Sequence, residues 1–200
     1  MRILSRRHQV SAHLIVSRAM GPVFFLTTNV DKHAEVAALL KRDAAVVVER
    51  RTATLPVPPS VVPREVARFR ALAAFQVLAG PVFAEALGIE LGGGMVSGAS
   101  YRQAFEQLGG SPWLKRHDGV RGVAHAAVGF TADGVRASVF ESAIPGSLRT
   151  VAHGRGNAAW ERHWIPESHE QTVADLVDAA AEEGLRNASY LALARQLRGA

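Results

Sequence analysis

Short apolar runs alternate with amphipathic stretches along the first half of the chain. The runs are rich in β-branched and aromatic residues and are flanked by turn-forming or charged residues, which is typical of buried strands. The amphipathic stretches repeat their apolar residues every three or four positions, which is typical of helices that bury one face. This pattern predicts strands over 22–26, 44–48 and 81–84, and helices over 34–40 and 64–77.

The second half of the chain predicts a hairpin followed by helices. Two strand-like segments, 122–131 and 135–143, are joined by Ala132-Asp133-Gly134, and Asp-Gly is a strong hairpin signal. A capping box at Thr172 predicts a helix that ends near Gly184. Further helices are predicted over 101–108 and 187–197, with loops at 55–60 and 92–94. This order of elements indicates an α/β fold with a mixed central β-sheet flanked by helices.

Composition and charge narrow the function classes. The 200 residues, 48% hydrophobic and 20% charged, suit one folded domain, and the absence of cysteine excludes disulfides and thiolate metal sites. The net charge of +5 forms neither a basic stripe nor an RNA-binding motif, so no nucleic-acid partner is expected. No apolar run approaches the ~20 residues that span a bilayer, and the basic start lacks the apolar core of a secretory signal. We therefore expect a cytoplasmic protein without membrane contact.

The segment that follows the first predicted strand carries the most informative polar residues. Thr27, Asn29 and Lys32 place a hydroxyl, an amide and an ammonium between a strand's carboxyl end and a helix's amino end. Main-chain N–H groups and the helix dipole favour anions at such a junction, so one interpretation is a phosphate site. The other interpretation is a helix N-cap followed by a solvated turn.

The spacing T-x-N-x-x-K-x-x-E over 27–35 resembles the phosphate-binding opening motif of the inosine triphosphate pyrophosphatase family, which cleaves non-standard purine nucleoside triphosphates. Further segments resemble that family's motifs in the same order, at Leu55-Pro56, 66–71, 80–85, 93–101, Arg155-Gly156-Asn157, 160–166 and 170–176. The resemblance covers about Pro22 to Leu197 with small gaps. It is carried by the order of the segments, since each motif alone is short.

The resemblance implies a single domain over 1–200, with 1–20 as a possible N-terminal extension, and two lobes with a cleft between them. It also implies a purine nucleotide as ligand, hydrolysis of a triphosphate to monophosphate and pyrophosphate, a Mg²⁺ ion and a homodimer. Carried over residue by residue, it places Lys32 and Glu85 in catalysis and Glu85 on the metal. The implied substrate-binding residues are Thr27, Asn29, Lys32, Arg70, Trp160, Glu161, Ser189 and Tyr190.

The sequence departs from the family at the metal site and at the base pocket. Val57 and Ala86 stand where the family has metal-site carboxylates, Glu85 is the carboxylate that remains, and Glu90 or Glu35 is an alternative contributor. Residues 187–192 stand where the family reads the base with Ser-His-Arg, and they contain neither His nor Arg. We therefore expect low turnover of inosine and xanthosine triphosphates, and a gain in magnesium affinity from Val57→Glu combined with Ala86→Asp.

Plainer interpretations stand beside the functional ones. They are Glu85 as a partner of Arg70, and Trp160 as a packing residue. For the function, the first hypothesis is a divergent nucleotide hydrolase with altered metal and base sites. The alternatives are a specialised-pathway nucleotide hydrolase with another substrate, and a nucleotide-binding protein without pyrophosphatase activity.

Overall fold

The chain folds around a mixed β-sheet of seven strands, in a computed structural model that describes residues 21–97, 111–154, 159–178 and 183–199. The strands are β1 Val23–Leu26, β2 Val48–Arg51, β3 Val82–Leu91, β4 Gly94–Ser97, β5 Arg121–Thr131, β6 Ser138–Leu148 and β7 Trp164–Pro166. The helices are α1 Val30–Ala44, α2 Pro63–Leu78, α3 Ser111–Arg116, α4 Val173–Asp178 and α5 Glu183–Arg198, with a 3₁₀ helix at Ala159–Arg162. The predicted α/β fold with a mixed central sheet flanked by helices is confirmed.

Strand β3 lies at the centre of the sheet. The strand order is β2-β1-β3-β5-β6-β7, and β4 pairs with β3 off this path. Strands β2, β1 and β3 are parallel, because α1 and α2 carry the chain back between them. Strands β3, β5, β6 and β7 are antiparallel neighbours. Because β5 and β6 have 11 residues and β1 and β2 have 4, the antiparallel half extends well beyond the parallel half.

Two short strands share one edge of β3. Strand β1 pairs with residues 82–84, and β4 pairs with residues 88–91. Among the described residues, the segment 85–87 of β3 has a strand neighbour on its other edge only, where β5 lies. The carboxyl end of β1, the amino end of α1 and this gap in the sheet therefore meet at one place.

Helix α2 covers one face of the sheet at close range. Its residues Val66 and Ala67 pack on Ala86 of β3 and Ala127 of β5, and all four are at most 7% exposed. Gly129 permits this approach, because a Cβ atom there would lie 2.3 Å from the carbonyl oxygen of Ala67. Ala86 therefore belongs to the interface between the sheet and α2.

The opposite face of the sheet carries two separate apolar clusters. In the first, α1 and α5 cover Phe25 and Phe83, whose ring centroids are 4.5 Å apart, and Tyr190 of α5 stands edge-on to both rings. In the second, Trp160 and Trp164 pack on the distal parts of β3, β5 and β6. We call the first cluster with its helices the helical lobe and the second cluster with its cover the distal lobe. The two lobes implied by the resemblance are therefore present.

Several element boundaries differ from the sequence-based prediction. The predicted strand over 44–48 is wrong, because α1 continues to Ala44, Ala45 ends it in the left-handed region (φ 55°), and β2 begins only at Val48. Strand β3 continues to Leu91 instead of ending at Ala84, since polar and glycine positions interrupt its apolar pattern without interrupting its pairing. The predicted loop over 92–94 is a tight turn into β4.

The C-terminal elements also differ in part from the prediction. The capping box is confirmed, because the Thr172 hydroxyl oxygen accepts the Asp175 N–H at 3.2 Å and the Asp175 carboxylate accepts the Thr172 N–H at 3.3 Å. The end of that helix was predicted near Gly184; Gly184 itself lies in α5, and residues 179–182 lie outside the described ones. The predicted hairpin is confirmed, with a connection over 132–137 that is longer than expected. The predicted helix over 101–108 lies outside the described residues.

Within the part of the chain that the structure describes, the longest helices have 16 residues, and none has the length and hydropathy that crossing a bilayer requires.

His163 ties the distal lobe to the end of β6. Its Nδ1 lies 2.8 Å from the carbonyl oxygen of Arg149, and its own carbonyl oxygen accepts the Arg149 N–H at 2.8 Å. Burial of the ring lowers the pKa of His163; the hydrogen bond to Arg149 opposes this shift and the charge of Arg162 reinforces it. The folded state therefore holds this imidazole neutral to a lower pH than the unfolded state does.

We expect the free energy of unfolding to fall as the pH drops from about 7 to about 5. The unfolded chain binds a proton at His163 near the ordinary pKa of about 6.5, whereas the folded chain binds it only at lower pH, so acid favours the unfolded state. Urea unfolding of the wild type and of His163→Gln measures the effect, with the exposed His153→Gln as control. A decline as steep in His163→Gln as in the control would contradict this expectation.

Candidate functional site

Side-chain hydrogen bonds to the main chain build the turn between β1 and α1. The Asn29 side-chain oxygen accepts the Lys32 N–H at 2.9 Å, so Asn29 is the N-cap of α1. The Thr27 hydroxyl oxygen accepts the Asn29 N–H at 3.1 Å. The N-cap interpretation is therefore confirmed for Asn29, while phosphate contact by Thr27 and Asn29 stays a prediction.

The side chain of Lys32 does not belong to a solvated turn. Its ammonium donates a hydrogen bond to the carboxylate of Glu85, in the middle of β3. The two side chains are only 11% and 13% exposed. Charges this far from water attract one another more strongly than surface charges do, and neither is easily left without a partner. The structure thus brings together the two residues that the resemblance places in catalysis.

Arg70 of α2 reaches the same place. Its guanidinium donates a hydrogen bond of 3.0 Å to the main-chain oxygen of Glu85. This oxygen belongs to the 85–87 segment of β3, and main-chain groups on the edge of this segment away from β5 need partners from outside the sheet. The pairing of Arg70 with Glu85 therefore exists at the main chain of Glu85, whereas the carboxylate of Glu85 pairs with Lys32.

A cleft lies beside Glu85, between the helical lobe and the distal lobe. Its far wall is formed by Trp160 and Glu161 of the 3₁₀ helix, which are 5% and 1% exposed. The lining residues are Lys32, Glu85, Leu87, Ala124, His125, Ala126, Ser142, Ile144, Trp160 and Glu161. The structure thus places four of the predicted site residues, Lys32, Glu85, Trp160 and Glu161, around one cleft.

Trp160 packs in the distal lobe and also lines the cleft, while substrate contact by its ring stays a prediction. Its indole nitrogen is buried and has no hydrogen-bond partner among the described residues. Buried indole N–H groups usually have a partner, so this donor is available to a ligand or to residues beyond the described ones.

Ser189 and Tyr190 do not line the cleft. Tyr190 packs in the core of the helical lobe, with its ring centroid 6.1 Å from that of Phe25 and 6.3 Å from that of Phe83. Ser189 on the same helix is fully buried. Their position gives no support to the predicted substrate contact, which stays untested for both residues.

The prediction missed the floor of the cleft. Leu87, Ala126 and Ser142 lie side by side in the sheet register, on the same face as Glu85. The two-residue periodicity of strands indicates which residues of one strand share a face. It does not give the register between strands, and the register is what aligns these three residues across β3, β5 and β6.

The cleft is narrow in this structure. The space in which the centre of a water molecule could lie is about 10 Å³, which accommodates about one water molecule. A larger groove of about 240 Å³ lies on the α2 side of the sheet at the β7 edge, but its charges are exposed and of both signs, as in the Arg121–Glu167 pair at 3.3 Å.

The residues at the cleft do not fit a divalent cation. Its carboxylates are Glu85, which is bound to Lys32, and Glu161 on the opposite wall. Within the described ranges, no three or more metal-ligating side chains come together. Val57 is 89% exposed on the loop before α2, and Ala86 faces α2 on the other side of the sheet. Mg²⁺ is commonly held by one or two carboxylates together with substrate phosphates, but at Glu85 it would have to displace the Lys32 ammonium, which repels it.

Comparisons with known proteins establish the fold. The sequence matches no protein-family model, and it matches no curated protein. Among solved structures, a HAM1 protein from Coxiella burnetii is 15% identical, with a TM-score of 0.69 over 90% of this chain and 100% of that chain. The Ham1 protein of Staphylococcus aureus is 14% identical, with a TM-score of 0.62 over 90% and 99% of the two chains.

A third similar structure is described as a nucleoside-triphosphatase, a dITP/XTP pyrophosphatase, from Mycobacterium abscessus. It is 15% identical, with a TM-score of 0.59 over 88% of this chain and 98% of that chain. The three likenesses extend over nearly the whole of each chain, so the protein has the fold of the Ham1 and dITP/XTP pyrophosphatase structures. The suspected resemblance is confirmed at the level of the fold.

We expect Ala86→Asp to destabilise the protein, which corrects the expectation that it would help to restore magnesium binding. A carboxylate at this position faces Val66 and Ala67 of α2, and an unpaired buried charge costs about 3 kcal/mol or more. Urea unfolding measures the loss. Val57→Glu at the 89% exposed position is the control, with an expected change below about 0.5 kcal/mol. Wild-type stability of Ala86→Asp together with a higher Mg²⁺ affinity would contradict this placement.

Proposed function

We propose that the protein binds a purine nucleoside triphosphate in the cleft and hydrolyses a phosphoanhydride bond, as a divergent relative of nucleoside triphosphate pyrophosphatases. The observation that carries this proposal is the largely buried Lys32 ammonium, at the amino end of α1 and on the cleft wall opposite Trp160. An ammonium beside a helix N-terminus suits phosphate oxygens. The shared fold with a structure described as a dITP/XTP pyrophosphatase supports the same ligand class.

The proposed reaction uses the pair of charges on β3 and α1. A water oxygen bonds to the α-phosphorus as the bond to the bridging oxygen breaks, which yields a nucleoside monophosphate and pyrophosphate. Lys32 moves from Glu85 to a phosphate oxygen, and the released carboxylate accepts a proton from the attacking water. Arg70 holds the main chain of Glu85 in place during this exchange. These roles make Lys32 and Glu85 the catalytic residues of the proposal.

The base would lie toward the distal lobe. Trp160 offers an aromatic ring and an indole donor at the cleft, and Glu161 lies next to it. The residues in the place of the family's Ser-His-Arg include Ser189 and Tyr190, which lie within the helical lobe. A site that lacks those donors cannot reject a 6-amino purine by leaving them unpaired. We therefore propose a purine nucleotide without a strict requirement for inosine or xanthosine.

A nucleotide-binding protein without pyrophosphatase activity is the second candidate. It is favoured by the carboxylate of Glu85, which is held by Lys32 and has no second carboxylate beside it on β3. A specialised-pathway hydrolase with another substrate would differ from it by measurable turnover. The single domain over 1–200, the extension over 1–20, the homodimer, the Mg²⁺ ion and the cytoplasmic location all remain predictions from the sequence.

We expect Lys32→Ala to weaken the binding of inosine triphosphate roughly ten- to a hundred-fold. A charge-assisted contact of this kind contributes about 1.5–3 kcal/mol, which corresponds to that change in affinity. Isothermal titration calorimetry measures the dissociation constant. Lys41→Ala removes an exposed lysine from the last turn of the same helix and should bind like the parent. Equal affinities of Lys32→Ala and the parent would show that the phosphate does not bind at Lys32.

We expect slow release of pyrophosphate from inosine and xanthosine triphosphates, compared with relatives that have a complete metal site. Glu85 is the carboxylate that remains where the family's metal-site carboxylates stand, and it supplies about one negative charge. A pyrophosphate-release assay over a panel of purine triphosphates, with Mg²⁺ present, tests this. Efficient turnover of inosine triphosphate would contradict the expectation. Binding without turnover of any member of the panel would favour the second candidate.

A further inference from the structure

Lys32 and Glu85 oppose each other at the wall of the cleft where a phosphate would bind. A divalent cation on this carboxylate would be repelled by the ammonium, whereas a phosphate on the ammonium would compete with the carboxylate. We propose that the cleft binds the phosphates of its nucleotide through Lys32 without a divalent metal, and that Glu85 is an internal competitor that lowers the affinity. This inference rests on the proposed binding of a nucleotide in the cleft.

The charges around the pair support this assignment. The second carboxylate of the cleft, Glu161, lies on the opposite wall. In the described part of the chain, no cluster of three or more potential metal ligands is present, and a Mg²⁺ ion held by Glu85 and by substrate phosphates would have to displace the Lys32 ammonium. Of the two cationic side chains nearby, that of Lys32 belongs to the first turn of α1, and that of Arg70 binds the main chain of Glu85. The fixed cation of this site is therefore the ammonium of Lys32.

Because both side chains are largely buried, Glu85 competes strongly with phosphate for the Lys32 ammonium. Lys32 and Glu85 are 11% and 13% exposed, so water screens their attraction only weakly. A phosphate oxygen must take the place of the Glu85 carboxylate at the ammonium, and part of its binding energy is used to break the pair. Glutamine at position 85 would keep the size of the side chain and remove the negative charge. The ammonium would then be more available to phosphate.

Phosphate binding through a metal ion and phosphate binding through Lys32 predict opposite effects of Glu85→Gln. In a metal-bridged site, Glu85→Gln removes a metal ligand, so triphosphate binding weakens. In a site served by Lys32 alone, the same change removes a competing anion, so triphosphate binding becomes tighter. Catalysis moves in the other direction from affinity, because the glutamine cannot accept a proton from water. A merely structural role of Glu85 predicts no gain in affinity.

The first experiment uses the wild-type chain. Isothermal titration calorimetry with inosine triphosphate and with inorganic tripolyphosphate is run in EDTA and in Mg²⁺ at equal ionic strength. We expect affinity in EDTA that equals or exceeds the affinity in Mg²⁺. An increase of about ten-fold or more on addition of Mg²⁺ would overturn the metal-free assignment. No binding in either buffer would instead refute the proposed function, so the two failures are distinguishable.

The second experiment compares Glu85→Gln with Glu141→Gln in EDTA. Glu141 pairs with Arg64 at the surface, so its substitution makes the same change of charge and also frees a cation. We expect tripolyphosphate to bind Glu85→Gln about ten-fold more tightly than the wild type, and Glu141→Gln within about two-fold. Any turnover should fall in Glu85→Gln only. Unchanged or weaker binding by folded Glu85→Gln would overturn the proposal, and the wild-type titration decides the question if that variant does not fold.

Discussion

All ten residues of β3 pair with β5 along one edge, whereas β1 and β4 divide the other edge between them. The site depends on this unequal pairing. Because β1 ends at Leu26, its polar turn and the first turn of α1 are held beside a stretch of β3 that has no strand neighbour there among the described residues. Lys32 then reaches the carboxylate of Glu85, and Arg70 reaches its main-chain oxygen. The length of β3 also carries the sheet beyond the helical lobe and thereby separates the two clusters that form the cleft.

The buried ion pair is not explained by its contribution to stability. Removing two charges from water costs free energy that their attraction only partly returns, and apolar side chains of similar volume often stabilise a fold as well or better. A charged pair that lines a cleft is in a different position from one in a closed core, since a ligand can take over one of its partners. Under the proposed function, this placement favours a role of the pair in binding over a role in folding.

The sequence predicted the fold better than it predicted the site. The helices α1 and α2, the strand β1 and the β5–β6 hairpin follow from periodicity and from turn residues, which are local signals. The second strand was predicted too early in the chain, because Val46-Val47-Val48 has the composition of a strand. In the structure, Ala45 with its left-handed backbone ends α1, and β2 begins only at Val48. Four residues that the resemblance implies for the site, Lys32, Glu85, Trp160 and Glu161, line one cleft. Tyr190, which it also implies, packs against Phe25 and Phe83, and this packing depends on where α5 crosses the sheet, which no local signal gives.

Side-chain alternation along β3 determines which of residues 85 and 86 faces the cleft. Glu85 points toward Lys32 and the cleft, so Ala86 must point toward α2, where it contacts Val66 and Ala67. Regular pairing with β5 on both sides of this position fixes that alternation. A carboxylate at position 86 would face the cleft only if a bulge shifted β3 by one residue, and such a shift would also turn Glu85 away from Lys32. In the backbone arrangement of this chain, position 86 therefore faces α2, and the side chain that reaches Lys32 is that of Glu85.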